Sequence, residues 1–310
     1  MIAAAPFPAT FEDFCLCVYV LVDEVWPAIA PALRRPGPPP ACSDQELVAM
    51  ALVGECCGWD QETEFASEWA KHRALFPRQP ERSRFNRRRR QLQDAINAVR
   101  RLLLAGCDLA ADRLGVLDSL PVPVLAFATS RRARRVDWQG YGAAFGRVPS
   151  KGQTVFGYKL YLLVTANGLI RDFALAPANL AEVAVGGALL EAQTDLEALG
   201  DKAFGSAPLA ARLAEERGVT LHTLPRRNQR RRVAAAGRRA FAAVRRVVEA
   251  VNGQLADQFK VEVNHALSFG GLCARLISKL TAHTLCVCLN RRLGRPDVLR
   301  IKDLAFPPPN

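Results

Sequence analysis

The stretch from Thr154 to Ala176 reads TVFGYKLYLLVTANGLIRDFALA. Two β-rich runs, Thr154–Thr165 and Leu169–Ala176, flank Asn167-Gly168. An Asn-Gly pair between two such runs predicts a β-hairpin, because both residues tolerate the positive φ that a tight turn needs. Pro177 ends the second run, since it has no N–H for a ladder. Outward from the hairpin the pattern alternates. Leu114–Asp118 (LGVLD) reads as a short apolar strand ending in an acid, and Leu196–Leu199 as a strand closed by Gly200-Asp201-Lys202. Ala181–Gln193 and Ala207–Arg217 read as helices, the second with Gly218 at its C-terminal cap, and Val219–Leu224 reads as another strand. Strand, hairpin, helix, strand, helix, strand, helix predicts an α/β domain with a mixed five-stranded sheet flanked by helices.

The last helix of that series is Arg238–Phe259, RRAFAAVRRVVEAVNGQLADQF. Phe241, Val244, Val248, Val251, Leu255 and Phe259 recur at helical steps and fall on one face. Glu249 lies at the edge of that stripe, with Arg245 and Arg246 one turn earlier, in side-chain reach. Alone it reads as an ion-paired helix glutamate. Two aspartates change the reading. Asp118 ends the first strand and Asp201 follows the fourth, and in open α/β sheets the ends of adjacent strands are where sites form. Three carboxylates held close repel one another, and a hard divalent cation relieves the repulsion. Oxygen-only ligation suits Mg²⁺ or Mn²⁺. Two such ions ~3.5–4 Å apart can activate a water and stabilise the leaving oxygen of a phosphoryl displacement.

The first 108 residues read differently. Phe11, Phe14, Cys15, Val18, Leu21, Val22 and Val25 mark a helix, and Pro36-Gly37-Pro38-Pro39-Pro40 a stiff spacer. Ser43-Asp44-Gln45-Glu46 is a capping box opening a second helix, and Glu62–Lys71 forms a third. Ser83–Arg90 (SRFNRRRR) leads into a helix carrying Leu92, Ile96, Val99, Leu102 and Leu103. The expectation is a helical DNA-binding domain over 1–108, with room for a helix-turn-helix, and a catalytic domain with C-terminal helices over 109–310. Net charge of +12 favours a polyanionic partner, nucleic acid first. Arg84, Arg87, Arg88, Arg89, Arg90, Lys202, Arg226, Arg227, Arg230 and Arg245 are the candidate DNA contacts, against a plain reading as solvated charge.

Other classes find little support. No stretch of about 20 apolar residues stands out as a membrane span, and Met1–Ala5 lacks the basic start of a signal peptide. The nine cysteines include no CxxC pair, and Cys15/Cys17 and Cys286/Cys288 fit helix cores. A reduced, cytoplasmic protein is expected. A final helical region, Leu267–Leu289, packs around Lys279 and His283, and no His/Cys spacing points to zinc.

The chain resembles the DDE-class bacterial insertion-sequence transposases, which have an RNase H-like core of the retroviral integrase superfamily, and is most similar to the insertion sequence 982 family. The likeness rests on SDQELVAMALVGE (43–55), SRFNRRRR (83–90), DSLPVPV (118–124), KGQTVFGYKLYLL (151–163), Pro177–Asn179, GDKAF (200–204), RRNQ (226–229), VEAVNGQL (248–255) and KLTAHTL (279–285). Singly these motifs are weak; in this order, with 83 positions from Asp118 to Asp201 and 48 more to Glu249, they are specific. The resemblance implies that Asp118, Asp201 and Glu249 are the catalytic, metal-binding triad, holding two Mg²⁺ or Mn²⁺ ions. It implies cleavage at the element's terminal inverted repeats and strand transfer into double-stranded target DNA, without a nucleotide cofactor, by a homodimer or larger assembly. Some relatives carry a Tyr-Arg-Glu-Lys signature; here Arg245 matches its Arg, but Ala242 and Ala256 stand at its Tyr and Lys positions. Two alternatives stay open: a transposase-derived DNA-binding protein that does not cut, and another RNase H-like nuclease.

Overall fold

A computed structural model describes residues 7–33, 37–107, 112–125, 136–148, 152–223 and 235–304, with the backbone alone for 235–241 and 243. The basic runs Arg131–Arg135 and Arg226–Arg232 lie outside the described residues. The chain divides into two compact units. One comprises the described residues of 1–107, 254–261 and 265–310, the other those of 108–253 and 262–264.

The first unit is helical. It contains α1 (Phe11–Ile29), α2 (Asp44–Cys56), α3 (Glu62–Lys71), α4 (Arg82–Gln91), α5 (Gln93–Ala105) and α9 (Phe269–Arg292). The capping box expected at Ser43 forms: the Glu46 amide donates to Ser43 Oγ at 3.1 Å and the Ser43 amide to Glu46 Oε2 at 2.6 Å. The basic stretch after Ser83 is a helix of its own, α4, joined to α5 at Leu92. The sequence pattern assigns the C-terminal helix to the catalytic domain, but α9 packs against α5, α2 and α1. The reason is its composition: α9 is apolar around most of its circumference and needs helices on several sides.

That composition also corrects the expectation about membrane spans. Phe11–Leu33 and α9 are both long and apolar enough to cross a membrane by length and composition. In α9 most of those residues are buried within the protein, as in a core helix.

The second unit is built on β1 (Leu114–Leu125), β2 (Ala144–Val148), β3 (Gln153–Thr165), β4 (Ile170–Pro177), β5 (Glu197–Gly200) and β6 (Thr220–Thr223), with α6 (Glu182–Glu191), α7 (Ala207–Arg217) and α8 (Ala235–Asp257). The sheet is mixed and RNase H-like, with six strands rather than the expected five. β3 runs antiparallel to β1 on one edge, while β2 and then β4 pair antiparallel along its other edge. β1, β5 and β6 are parallel. The extra strand, β2, is five residues long; its burial alternates, but an exposed Phe145 beside a buried Gly146 hides that alternation from the residue types.

Three local features shape the sheet. The hairpin turn is one residue longer than Asn-Gly alone implies: the Thr165 amide donates to the Leu169 carbonyl at 2.8 Å, and Gly168 takes φ +82°. Gly157, at φ +154°, lets β3 approach β1 where a Cβ would lie 2.3 Å from the Val122 carbonyl oxygen. β1 does not stop at Asp118 but continues to Leu125 through Pro121 and Pro123. The Arg113 carbonyl accepts from Glu197 at 2.7 Å, so odd-numbered β1 backbone groups face β5. Both prolines share that parity, and their missing N–H groups fall beyond the last β1–β5 pair, Leu117 with Gly200. Leu117, Tyr161, Leu163, Leu190, Leu196, Phe204, Leu213 and Val219 form the buried core under α6 and α7.

Candidate active site

The parallel pairing of β1 with β5 ends at Leu117 opposite Gly200. Asp118 and Asp201 are the next residue on each chain segment, so sheet register carries the two acids to adjoining positions although they stand 83 positions apart. Beyond Gly200 the chain turns. Asp201 caps a short 3-10 turn, Lys202–Phe204, and its Oδ1 accepts from the Lys202 amide at 2.7 Å. Phe204 is buried in the core and anchors that turn. Asp118 Oδ1 accepts from the Ser119 amide at 2.8 Å.

Helix α8 supplies the third side. Arg245, Glu249 and Asn252 stand three and four residues apart and share a face, while Val248 and Val251 are buried. Arg245 Nε donates to Glu249 Oε1 at 2.8 Å, and its Nη1 lies 3.8 Å from Asp201 Oδ1. Asn252 Nδ2 donates to Asp118 Oδ2 at 2.7 Å. Its Oδ1 is buried with no hydrogen-bond partner among the described residues. Val116, Leu117, Leu199, Gly200 and Val248 complete the walls of a small cleft around Asp118, Asp201 and Arg245.

The electrostatics follow from this arrangement. Burial pushes the Asp118 carboxyl above its ordinary range, and nearby Asp201 adds to the rise, while the Ser119 amide, Arg245 and Asn252 oppose it. Arg245 is held more firmly charged, first by its hydrogen bond to Glu249 and then by Asp201 and Asp118. A single guanidinium thus stands among three carboxylates. The sequence pattern places Arg245 with the DNA contacts; its partners here are the acids.

Among the described residues, no three His, Cys, Asp or Glu side chains are gathered as a ready metal-binding group. Asp118 and Asp201 are in place, and Glu249 is turned to Arg245. The donor set is nonetheless all carboxylate, with Asp118 and Asp201 each one residue past the last β1–β5 pair and a cation already drawn among the acids. That chemistry fits a hard divalent ion.

The other sequence candidates are distributed as follows. Arg84, Arg87 and Arg90 are exposed on α4, and Lys202 is exposed beside Asp201. Arg88 is tied to Asp44 in a two-pronged pair, Nε to Oδ1 at 2.8 Å and Nη2 to Oδ2 at 2.5 Å. Arg89 is a correction: it is 3% exposed and ion-paired with Glu62 and with Glu55, the latter at 3.8 Å. A guanidinium so enclosed does not reach a phosphate; it neutralises buried carboxylates instead. Arg226, Arg227 and Arg230 lie outside the described residues. Asn252 is a functional candidate that sequence reasoning misses. A signal for it exists, since it lies three positions after Glu249 and so on the same helix face.

Residues 115–268 match a family model described as a transposase DDE domain. No curated protein matches the chain, and no solved structure does.

Proposed function

We propose that this chain, a DDE transposase by its domain at residues 115–268, cuts DNA at the ends of an insertion sequence and joins those ends to target DNA. The observation that supports this reading is the placement of Asp118 and Asp201 one residue past the last β1–β5 pair, faced by Arg245, Glu249 and Asn252 from α8. Asp118, Asp201 and Glu249 are the residues that would hold Mg²⁺ or Mn²⁺. When bound, such ions supply an activated nucleophile and neutralise charge on the phosphate. Asn252 fixes the rotamer of Asp118, and the Lys202 amide and Phe204 fix Asp201. Arg245 keeps Glu249 at the site by a charge-assisted hydrogen bond.

DNA reaches such a site through charge. Lys202 beside Asp201, the exposed Arg84, Arg87 and Arg90, and Arg226, Arg227 and Arg230 are the proposed phosphate contacts, with no nucleotide cofactor. Binding two element ends makes a homodimer or larger complex the working form. The proposed place of action is the bacterial cytoplasm, on the chromosome. The insertion sequence 982 family remains the proposed subgroup.

The test is a strand-cleavage assay with the purified chain, Mg²⁺, and DNA carrying the inverted repeats that flank its gene, with Glu249→Gln alongside. Metal-dependent cuts at the repeat ends that vanish in the variant are expected. Tight binding without cuts would return the chain to the non-cutting DNA-binding reading. Cuts that persist in Glu249→Gln would remove Glu249 from the triad.

A further inference from the structure

The helical unit holds a feature that the DNA chemistry does not use. All nine cysteines are unbridged thiols, yet four of them meet in two facing pairs. Cys107, just after α5, lies with its sulfur 2.9 Å from that of Cys288 on α9. Cys56 at the end of α2 lies 3.4 Å from Cys286, also on α9. α9 thus presents two sulfurs two residues apart, one to each neighbouring helix.

The pairs differ in surroundings. Cys56 and Cys286 are fully enclosed, and burial, the Cys286 contact and Glu55 all push the Cys56 thiol up, which keeps it inert. Cys107 is 7% exposed, and Arg291 and Arg292 stand nearby on the last turn of α9. The Cys288 hydrogen bond and those two arginines favour its thiolate against the effect of burial. One pair therefore has a nucleophile with a partner thiol in contact; the other is a packing contact.

We propose that Cys107 and Cys288 form a reversible disulfide under peroxide, making the junction of α5 and α9 an oxidative modification site. The Cys107 sulfur attacks one oxygen of hydrogen peroxide; an S–O bond forms, the O–O bond breaks, and the leaving hydroxide takes up the Cys107 thiol proton as water. The Cys288 sulfur then attacks the resulting sulfenic acid. An S–S bond forms, the S–O bond breaks, and the leaving hydroxide combines with the proton released by Cys288 as water. Two thiols and one peroxide become one disulfide and two waters. The sulfurs need to close by only about 1 Å to reach the ~2.05 Å bond. The bond closes a loop across 181 residues and ties the C-terminal helix to the residue where the helical unit hands over to the sheet unit. A thiol reductant reverses it.

The experiment uses the full wild-type chain, reduced and desalted, then exposed to graded hydrogen peroxide. Free thiols are blocked with N-ethylmaleimide, and the chain is digested and mapped without reductant. A Cys107–Cys288 peptide appearing at lower peroxide than any Cys56–Cys286 peptide, and lost on adding dithiothreitol, is expected. The oxidised chain melts several degrees higher. In Cys288→Ser, Cys107 is instead trapped by dimedone as the sulfenic acid, and in Cys56→Ser the Cys107–Cys288 bond persists. Full alkylation of both thiols after peroxide overturns the proposal. So does oxidation of Cys107 directly to sulfinic acid, or cross-linking of Cys56–Cys286 first. The mapping of the wild type needs no substitution, so a variant that fails to fold does not blunt it.

Discussion

Asn252 Nδ2 lies 2.7 Å from Asp118 Oδ2, a hydrogen bond between residues 134 positions apart. It links the centre of β1 to α8 and leaves the amide oxygen of Asn252 buried and unpaired among the described residues. Asn252→Ala removes the restraint on Asp118 without touching any of the three acids. On the proposal that Asp118 holds a metal, cleavage is expected to fall about 10–100-fold, the usual cost of losing a supporting hydrogen bond around such a ligand. DNA affinity stays unchanged. Single-turnover cleavage against Mg²⁺ concentration checks this, and unchanged rates would make the hydrogen bond incidental.

Asp118 also makes stability depend on pH. Its folded-state carboxyl sits above the ordinary value of 3.8, chiefly through burial, so the folded chain binds that proton more tightly than the unfolded chain. Ionising it therefore costs stability. The cost is full above the raised value and vanishes below 3.8. Asp118→Asn is expected to be more stable than the parent at pH 7 without metal, with the gain shrinking on acidification. Urea midpoints at pH 7 and pH 4 measure it.

The arginines of α4 divide into two kinds. Replacing Arg84, Arg87 and Arg90 together by Gln lowers the salt slope of DNA binding by roughly 0.9 for each phosphate no longer neutralised, with little change in stability. Arg89→Gln does the reverse. It leaves Glu55 and Glu62 short of a cation and destabilises the fold by about 3–5 kcal/mol. A salt titration and a denaturation curve on each variant separate the two.

Glu55 is the hub of the same buried network, 2.9 Å from Lys279 Nζ and 3.1 Å from Arg275 Nε. Burial pushes its carboxyl up, but Arg275, Lys279 and Arg89 outweigh that and hold it below the ordinary range. A depressed folded value gives stability that is present above the ordinary carboxylate range and is lost as pH falls through the folded value. Glu55→Gln leaves Lys279 without its carboxylate and Arg89 and Arg275 with Glu62 alone, and is expected to cost about 3–5 kcal/mol at pH 7. Its melting temperature depends less steeply on acid than that of the parent.

His283 contributes an acid slope of its own. Burial lowers it from 6.5 to about 3, with Nε2 2.9 Å from Gln254 Oε1. The folded chain keeps it neutral while the unfolded chain takes up a proton below 6.5, so stability is lost as pH falls from 6.5 toward 3. One proton corresponds to at most about 1.4 kcal/mol per pH unit. His283→Gln is expected to flatten the stability curve by that slope in this window; an unchanged slope would mean the ring is charged in the fold.

What sequence could decide was whatever short-range pattern encodes. The capping box at Ser43, the hairpin around Asn167-Gly168, the C-terminal cap at Gly218 and the apolar face of α8 each depend on residues a few positions apart. The alternation of those elements carried the RNase H-like class; Asp201 follows β5 and Glu249 lies on α8 as the pattern predicts, while Asp118 lies inside β1 rather than at its end. The count of strands was short by one because β2 puts Phe145 on its exposed side and Gly146 on its buried side, so residue type does not betray the alternation.

Tertiary structure decided the rest, because burial and partnership are set by residues far away in sequence. Arg89 and its neighbour Arg90 are the same residue type one position apart, yet one is enclosed by Glu55 and Glu62 and the other is exposed. The C-terminal helix joins α5, α2 and α1, a choice its own apolar circumference cannot specify. Arg245 turns to Asp201 and Glu249, and Asn252 to Asp118, through contacts that exist only once β1, β5 and α8 have met. A linear pattern tells which residues share a face; which side chain lies across from that face is settled when the chain closes on itself.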